Sequence, residues 1–397
     1  MAEKLNKIVK FRGDRLFNGA VNISWANNDA PKAKLASESF VFHGPKYHGI
    51  TQEDVGVSHG HKLVDTASFA IKIARRCYGH EEQPFTMAIA GYGTGKSHLA
   101  LTLATLLGNP TSETSNTIID AVKAADPEIG NELGLLFQEA SQPCLAITIN
   151  GMQGFDLAAE VSRQIASALK NDKLDTKPLA DLRPRFVQAA SLTRLCNEAL
   201  KSELLAALAA NSLEQIIHDL EQQNEITYAK VHDFFAAKGI PIAALRGESI
   251  RDIIEITTRE YCGPDKPYRS LVLLFDEFGK YTEFATVKSQ IAGNGVLQDL
   301  FEAVQANSAK ACFVGFIQFE LNAYVQRVAP ELRNEILRYI TRFQNVNKLY
   351  LSINLETLIA SLLEKMERNR LQAFLRVTKG VSQDYMDSIN SWFPNSK

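Results

Sequence analysis

Five short runs of almost uninterrupted apolar residues divide the 397-residue chain, and each run predicts a buried β-strand. The predicted strands cover residues 85–90, 144–150, 270–275, 311–317 and 348–353. Between them, apolar residues recur every three or four positions, as on the buried face of an amphipathic helix. The clearest predicted helices cover residues 61–78, 98–107, 155–170, 295–305 and 331–341. Strands that are apolar on both faces and alternate with helices predict an α/β fold, with a parallel sheet between two helical layers.

The same pattern predicts how the chain is divided into segments. They are an N-terminal extension, the first part of the core, a helical insertion, the second part of the core and a C-terminal helical segment, at residues 1–56, 57–172, 173–263, 264–355 and 356–397. The insertion is rich in Ala, Leu and Glu and is too long for a connecting loop. Within the extension, residues 40–42 predict a short strand, and residues 25–34 contain turn signals.

Charge and composition limit the classes of protein that fit. Hydrophobic residues make up 45% of the chain and charged residues 22%, which is typical of a globular protein rather than a disordered one. The net charge is −2, so the chain lacks the overall basic excess of proteins that grip a nucleic-acid backbone. Contact with nucleic acid is therefore expected to be local or made by a partner, or not to occur.

Cysteine usage and hydropathy indicate the compartment. The five cysteines are odd in number and never spaced as Cys-x-x-Cys, which argues against a disulfide framework or a zinc ribbon. No apolar run reaches the ~18 residues that a membrane helix needs, and the first residues do not resemble a signal peptide. We therefore expect a cytoplasmic protein without a membrane partner.

The strand predicted at residues 85–90 leads into a glycine-rich turn with the sequence Ala-Gly-Tyr-Gly-Thr-Gly-Lys-Ser. Glycines in such a turn allow backbone N–H groups to approach phosphate oxygens, and the helix that follows directs its positive end at the same anion. A lysine and a hydroxyl at its end suit phosphate binding and Mg²⁺ binding. The alternative is a chance glycine turn, but the flanking strand and helix favour a phosphate-binding loop. Its candidate binding residues are Ala90, Gly91, Tyr92, Gly93, Thr94, Gly95, Lys96, Ser97 and His98.

Two carboxylates end the strand predicted at residues 270–275. Asp276 is a candidate Mg²⁺ ligand together with Ser97, and Glu277 is a candidate base that orients and deprotonates a water molecule. The alternative is a buried strand that simply reaches solvent at its end. The presence of the glycine-rich loop in the same chain favours the catalytic interpretation, in which Lys96 acts together with Glu277.

Residues 60–355 resemble the AAA+/ASCE division of P-loop NTPases in the order of these motifs along the chain. The resemblance implies a sheet ordered 5-1-4-3-2, ATP and Mg²⁺ as cofactors, and hydrolysis rather than simple nucleotide binding. It also implies that Gln318, which follows the strand at 311–317, senses the γ-phosphate; a solvated strand end is the alternative. By the same resemblance, residues 356–397 correspond to a helical lid. We expect this lid to be truncated relative to that of a longer protein.

An arginine on the helix predicted at residues 331–341 is the last candidate. By the same resemblance, Arg342 corresponds to the arginine finger that reaches the site of a neighbouring subunit, which would require a homo-oligomer. Arg338 and Arg342 are four residues apart and share one helix face. The alternatives are a solvated basic face or a patch for a nucleic-acid backbone.

At a finer level, residues 91–99 and 273–281 resemble the ATPase components of bacterial DNA-phosphorothioation systems of the Ssp and Dnd kind, and of BREX-like anti-phage systems. This resemblance implies an ATPase that powers or gates a complex acting on DNA, with the other proteins of that complex as partners. Two alternatives remain open. One is a STAND-like switch operated by the bound nucleotide with slow turnover, and the other is a DNA translocase.

Overall fold

The computed structural model describes most of the chain, namely residues 9–12, 17, 19–45, 63–81, 83–140, 142–180, 184–221, 224–240, 242, 249–293, 295–343, 346–351 and 363–365. Its strands are β1 (Val9–Phe11), β2 (Leu63–Val64), β3 (Phe85–Ile89), β4 (Leu145–Asn150), β5 (Leu271–Asp276), β6 (Ala311–Ile317), β7 (Asn347–Leu351) and β8 (Leu363–Lys365). All five predicted strands are present, as β3 to β7, with bounds shifted by at most two residues.

The helices lie between these strands. Those before β5 are α1 (Trp25–Asn28), α2 (Ala30–Glu38), α3 (Thr66–Cys77), α4 (Lys96–Gly108), α5 (Glu113–Ala125), α6 (Pro127–Glu139), α7 (Leu157–Asn171), α8 (Lys177–Ala180), α9 (Pro184–Arg194), α10 (Glu198–Leu208), α11 (Leu213–Glu221), α12 (Glu225–Ala237) and α13 (Ile250–Tyr261). Those after β5 are α14 (Phe278–Val287), α15 (Ser289–Ala292), α16 (Val296–Ala306), α17 (Leu321–Val325) and α18 (Arg333–Arg342), with a 3₁₀ turn at Pro330–Leu332.

Six strands form one all-parallel sheet in the order β2-β7-β3-β6-β5-β4, which confirms the α/β class with helices on the sheet. The predicted order 5-1-4-3-2 is wrong for the whole sheet, because a sixth strand, β2, adds an edge outside β7. Residues 63 and 64 form this strand, although they fall within the helix predicted at 61–78. The helix begins only at Thr66, because the Asp65 side chain caps it by accepting a hydrogen bond of 2.7 Å from the Ser68 N–H.

The central strands are apolar throughout because both faces of the sheet are covered. All residues of β3, β5 and β6 are buried. Leu273 and Phe275 belong to one apolar cluster, with residues of α7, α13, α14 and α16, whereas Val272 and Leu274 belong to a second cluster, with residues of α3, α4, α5 and α6. Alternate side chains of a strand point to opposite faces, so β5 contributes to both clusters.

Two helical regions lie beside this sheet. Helices α9 to α12 share an apolar cluster of their own, whose largest members include Phe186 and Phe235. Helix α13, by contrast, belongs to the main core through Ile250, Ile253 and Ile254.

No helix among the described residues has the length and apolar character required to cross a membrane.

The N-terminal extension differs from its predicted local structure. Residues 25–34 form α1 and the start of α2 rather than turns, because Asp29 caps α2 and accepts a hydrogen bond of 3.2 Å from the Lys32 N–H. Residues 40–42 are not a strand. Helix α2 contacts α4 through a hydrogen bond of 2.9 Å from the Ser37 hydroxyl to Thr105 Oγ1. The extension therefore contacts the helix that follows the glycine-rich loop.

The C-terminal segment predicted to be helical contains a strand. Residues 363–365 form β8, which pairs antiparallel with β1 in a separate two-stranded sheet. The rest of the predicted lid at 356–397 lies outside the described residues.

The position of β5 between two helical layers leads to a stability prediction. Leu273 is fully buried, so Leu273→Ala is expected to lower the free energy of unfolding by about 2–5 kcal/mol through lost apolar contacts and a residual cavity. The matched control is Leu195→Ala, since Leu195 is 80% exposed and the expected change is within about 0.5 kcal/mol. Urea denaturation followed by circular dichroism measures both, and equal effects would contradict the double-sided burial of β5.

Candidate functional site

The carboxyl ends of three adjacent strands bring the predicted site residues together. Strand β6 lies between β3 and β5, and Ile89 at the end of β3 is paired in register with Ile317 at the end of β6. The glycine-rich loop follows β3, Gln318 follows β6, and β5 ends with Asp276 before Glu277. In open parallel sheets, ligands bind at the carboxyl ends of the strands. The carboxyl ends of these central strands are therefore the candidate site.

The loop between β3 and α4 is a tight glycine-rich turn that leads directly into the helix. It starts with a hydrogen bond of 3.2 Å from the Ala90 N–H to the Ile317 carbonyl. Gly93 and Gly95 have φ values of 73° and 82°, which side chains other than that of glycine rarely tolerate. The Leu99 N–H donates to the Gly95 carbonyl at 2.8 Å, so the N–H groups of residues 96–98 precede the hydrogen-bond ladder of α4. These groups are at the positive end of the helix.

Lys96 lies beneath the loop. Its Nζ donates hydrogen bonds of 2.8 Å to the Ala90 carbonyl and 2.6 Å to the Gly91 carbonyl, and the residue is only 7% exposed. Burial lowers the pKa of Lys96, while the negative charges of Glu277 and Asp276 raise it in opposition. The ammonium group therefore contacts the loop carbonyls and also interacts electrostatically with the two carboxylates.

Asp276 and Ser97 are neighbouring oxygen-bearing side chains that could hold a metal ion. Asp276 is 4% exposed, and burial raises its pKa. The nearby Ser97 side chain and a hydrogen bond of 3.0 Å from the Glu277 N–H act in the opposite direction. Among the described residues, no group of three or more His, Cys, Asp or Glu could hold a metal ion. Mg²⁺ does not need such a cage, because it commonly takes one or two protein oxygens together with water and phosphate oxygens, and the Ser97–Asp276 pair fits that mode.

Glu277 is held in a specific orientation. Its φ of 53° and ψ of 35° are in the left-handed region, an uncommon conformation for a residue other than glycine, Asn or Asp. The Gln318 side chain donates from Nε2 to both carboxylate oxygens, at 2.8 and 3.2 Å, and Lys280 Nζ lies 3.3 Å from Oε2. The Glu277 side chain is 13% exposed. Backbone strain that is maintained by specific contacts is a feature of functional sites.

Lys280 is a residue of this site that the sequence interpretation missed. The available signal was its spacing, because residues three apart on a helix lie on the same face. Lys280 is in the first turn of α14, three positions after Glu277. The structure thus brings together the loop, Ser97, Asp276, Glu277 and Gln318, and adds this lysine.

Three of the predicted residues do not converge on this point. Arg342 Nη1 is 3.5 Å from Glu302 Oε1, and the adjacent Phe343 packs against Phe85 at the opposite end of β3, so a role in a neighbouring subunit stays a prediction. The His98 ring faces the N-terminal extension, with Nε2 2.6 Å from the Ala36 carbonyl, which leaves its backbone N–H as the candidate group. Tyr92 is 88% exposed at the tip of the loop.

A six-stranded parallel sheet between helices is compatible with a Rossmann-like fold as well as with a P-loop fold. No protein-family model matches the chain, and a search of curated proteins finds no match either. The interpretation of the site therefore depends on the chemistry of its own residues.

The loop backbone leads to a second prediction. Gly95→Ala is expected to lower the free energy of unfolding by about 1–2 kcal/mol, because alanine is strained at a positive φ even though the nearest side-chain atom is 3.9 Å away. The control is Gly91→Ala in the same loop, which has an ordinary φ and only one side-chain atom, at 3.9 Å, near its Cβ position. That change is expected to be neutral or stabilising by up to about 1 kcal/mol. Denaturant titration distinguishes the two, and the reverse order would contradict the loop geometry.

Proposed function

We propose that this chain is a Mg²⁺-dependent ATP hydrolase. The observation that carries the proposal is the meeting, at one edge of the sheet, of the loop at residues 90–97 with the carboxylates of Asp276 and Glu277. Lys96 supplies hydrogen-bond donors for phosphate, Ser97 and Asp276 supply metal ligands, and Glu277 supplies a base. These are the three kinds of group that phosphoanhydride hydrolysis uses.

Each group has a role that follows from its chemistry. The N–H groups of residues 91–98 and the ammonium of Lys96 bind the β- and γ-phosphate oxygens, which replace the loop carbonyls as acceptors for Lys96. Ser97 and Asp276 would hold Mg²⁺, whose positive charge would offset the negative charge that develops on the phosphate oxygens. Glu277 accepts the proton of the attacking water molecule.

The assignment to a P-loop fold rather than a Rossmann-like fold is part of this proposal. Lysine followed by serine at the start of α4 supports it, as do the paired carboxylates after β5. Apart from the edge strand β2, the order β7-β3-β6-β5-β4 corresponds to the 5-1-4-3-2 order that the AAA+/ASCE resemblance implies.

Two substitutions test the proposed hydrolysis. Lys96→Ala is expected to weaken ATP binding or lower turnover at least tenfold, because it removes the cation at the phosphates. Glu277→Gln is expected to retain ATP binding but slow hydrolysis roughly 10²-fold or more, because the amide cannot accept the proton. Phosphate release measures turnover, and calorimetric titration with Mg²⁺ and ATP measures binding.

The controls for this experiment remove the same charges elsewhere. Lys230→Ala and Glu331→Gln change exposed side chains and are expected to leave both measurements unchanged. Full hydrolysis by both site variants would show that the site has been assigned to the wrong residues.

The wider role follows from the resemblance to ATPases of DNA-modification and anti-phage systems. We propose that hydrolysis powers or gates a cytoplasmic complex that acts on DNA, and that DNA contact is made through partner proteins. The five cysteines are free thiols, which suits a reducing compartment. A nucleotide-operated switch is the second candidate function. The hydrogen bonds from Gln318 to both oxygens of Glu277 favour it if they persist when nucleotide is bound, because they would then occupy the oxygens that must accept the proton of water, and ATP would be hydrolysed slowly.

An ATPase assay with and without DNA, combined with a mass measurement of the nucleotide-bound particle, distinguishes both of these roles from a DNA translocase. For an enzyme that depends on protein partners, or for a switch, we expect slow turnover that DNA alone does not change and a mass that corresponds to a small particle. Stimulation by DNA together with a ring-sized mass would instead support a translocase and contradict the proposed role.

A further inference from the structure

We propose that Lys280 makes the site selective for a nucleoside triphosphate over a diphosphate, by supplying positive charge to the γ-phosphate from within the same chain. The inference rests on the proposed function and adds a residue to it. The observation behind it is the contact between Lys280 Nζ and Glu277 Oε2, at 3.3 Å.

The head group of Lys280 lies at the mouth of the site rather than in open solvent. The side chain is 35% exposed, and Nζ is also 3.0 Å from the thioether sulfur of Met152, which follows β4. Sulfur is a weak acceptor, and an ammonium has three N–H donors. Contact with Glu277 therefore leaves donor capacity for another anionic oxygen.

The helix turn that carries Lys280 is fixed by its neighbours. Phe278 and Tyr281 are fully buried, and the Tyr281 hydroxyl donates a hydrogen bond of 2.9 Å to the Phe155 carbonyl. At Gly279, a Cβ atom would lie 2.2 Å from Cζ of Tyr324, so α14 approaches that ring as closely as only glycine permits. Because the residues on both sides of Lys280 are held in this way, its backbone cannot move away from Glu277 at low cost.

The balance of charge gives Lys280 its function. Asp276 and Glu277 contribute two carboxylates, and Lys96 is the cation beneath the loop. Without Lys280 these protein groups carry a net negative charge, and a bound Mg²⁺ would have to offset that charge before it could offset the charge of the terminal phosphate. Lys280 is close enough to Lys96 for its charge to lower the pKa of Lys96, so both ammonium groups act on one site.

Two arginines that could serve instead are engaged elsewhere. Arg342 pairs with Glu302, and the adjacent Phe343 packs against Phe85 at the opposite end of β3. Arg327 lies 3.8 Å from Glu283 and stacks on the Phe319 ring at 4.8 Å. A cation that contacts the proposed base directly is better placed than either of them to interact with the γ-phosphate.

The test compares two ligands that differ by the γ-phosphate. Dissociation constants for ADP and for the slowly hydrolysed analogue ATPγS are measured by calorimetry with Mg²⁺, for the wild-type chain, Lys280→Met and Lys280→Arg. Lys280→Met is expected to weaken ATPγS binding roughly tenfold relative to ADP, as for the loss of one charge-assisted hydrogen bond. Lys280→Arg is expected to restore the wild-type ratio. Lys288→Met, an exposed lysine at the end of the same helix, is the matched control.

The outcomes separate this inference from the proposed function. If Lys280→Met keeps the wild-type ratio of the ATPγS and ADP dissociation constants, the role of Lys280 is overturned and the hydrolase proposal stays intact. This holds whether both affinities are unchanged or both fall by the same factor. Absence of binding of either nucleotide to the wild-type chain would overturn the proposed function itself. Thermal unfolding checks that each variant is folded, and if Lys280→Met is not, Lys280→Gln replaces it with the same expected ratio.

Discussion

Burial of β5 on both faces is the constraint on which the rest of this structure depends. The strand is completely buried from Leu271 to Asp276 because helices cover the sheet on both sides. Its last residue is consequently placed inside the protein, next to β6 and near the start of α4. The packing that stabilises the sheet thus forces a carboxylate into an environment where an unpaired charge would be costly.

The site compensates for that cost with specific partners. The Glu277 N–H donates to Asp276, and the nearby Ser97 side chain and the positive charge of Lys96 act to lower its pKa. Glu277 is balanced in the same way by Gln318 and Lys280. Buried charges that are paired but still accessible to a ligand are a property of reactive sites, since a phosphate or a metal ion can replace some of these internal contacts.

The parts of the fold that depend on local pattern could be predicted from the sequence. The strands β3 to β7 could be located because a short, continuous apolar run between helices is typical of a strand that is buried on both faces. The errors lie at positions where one signal has two meanings. Asp29 followed by Pro31 is typical of a turn, although the same residues also start a helix. The helical periodicity of α3 also extends back to residues 63 and 64 in the sequence. The helix itself begins only at Thr66, after the cap at Asp65.

The sequence alone determined the chemistry of the candidate site: a glycine-rich loop that ends in Lys96 and Ser97, and a buried strand that ends in Asp276 and Glu277. Spacing within one strand or one loop is local, so these features could be identified without a structure. Only the tertiary structure decided which distant residues meet. It placed the Gln318 side chain against Glu277, and it placed Arg342 near the opposite end of β3. Such contacts depend on strand order and on how each helix begins, and neither is encoded by the spacing of residues along the chain.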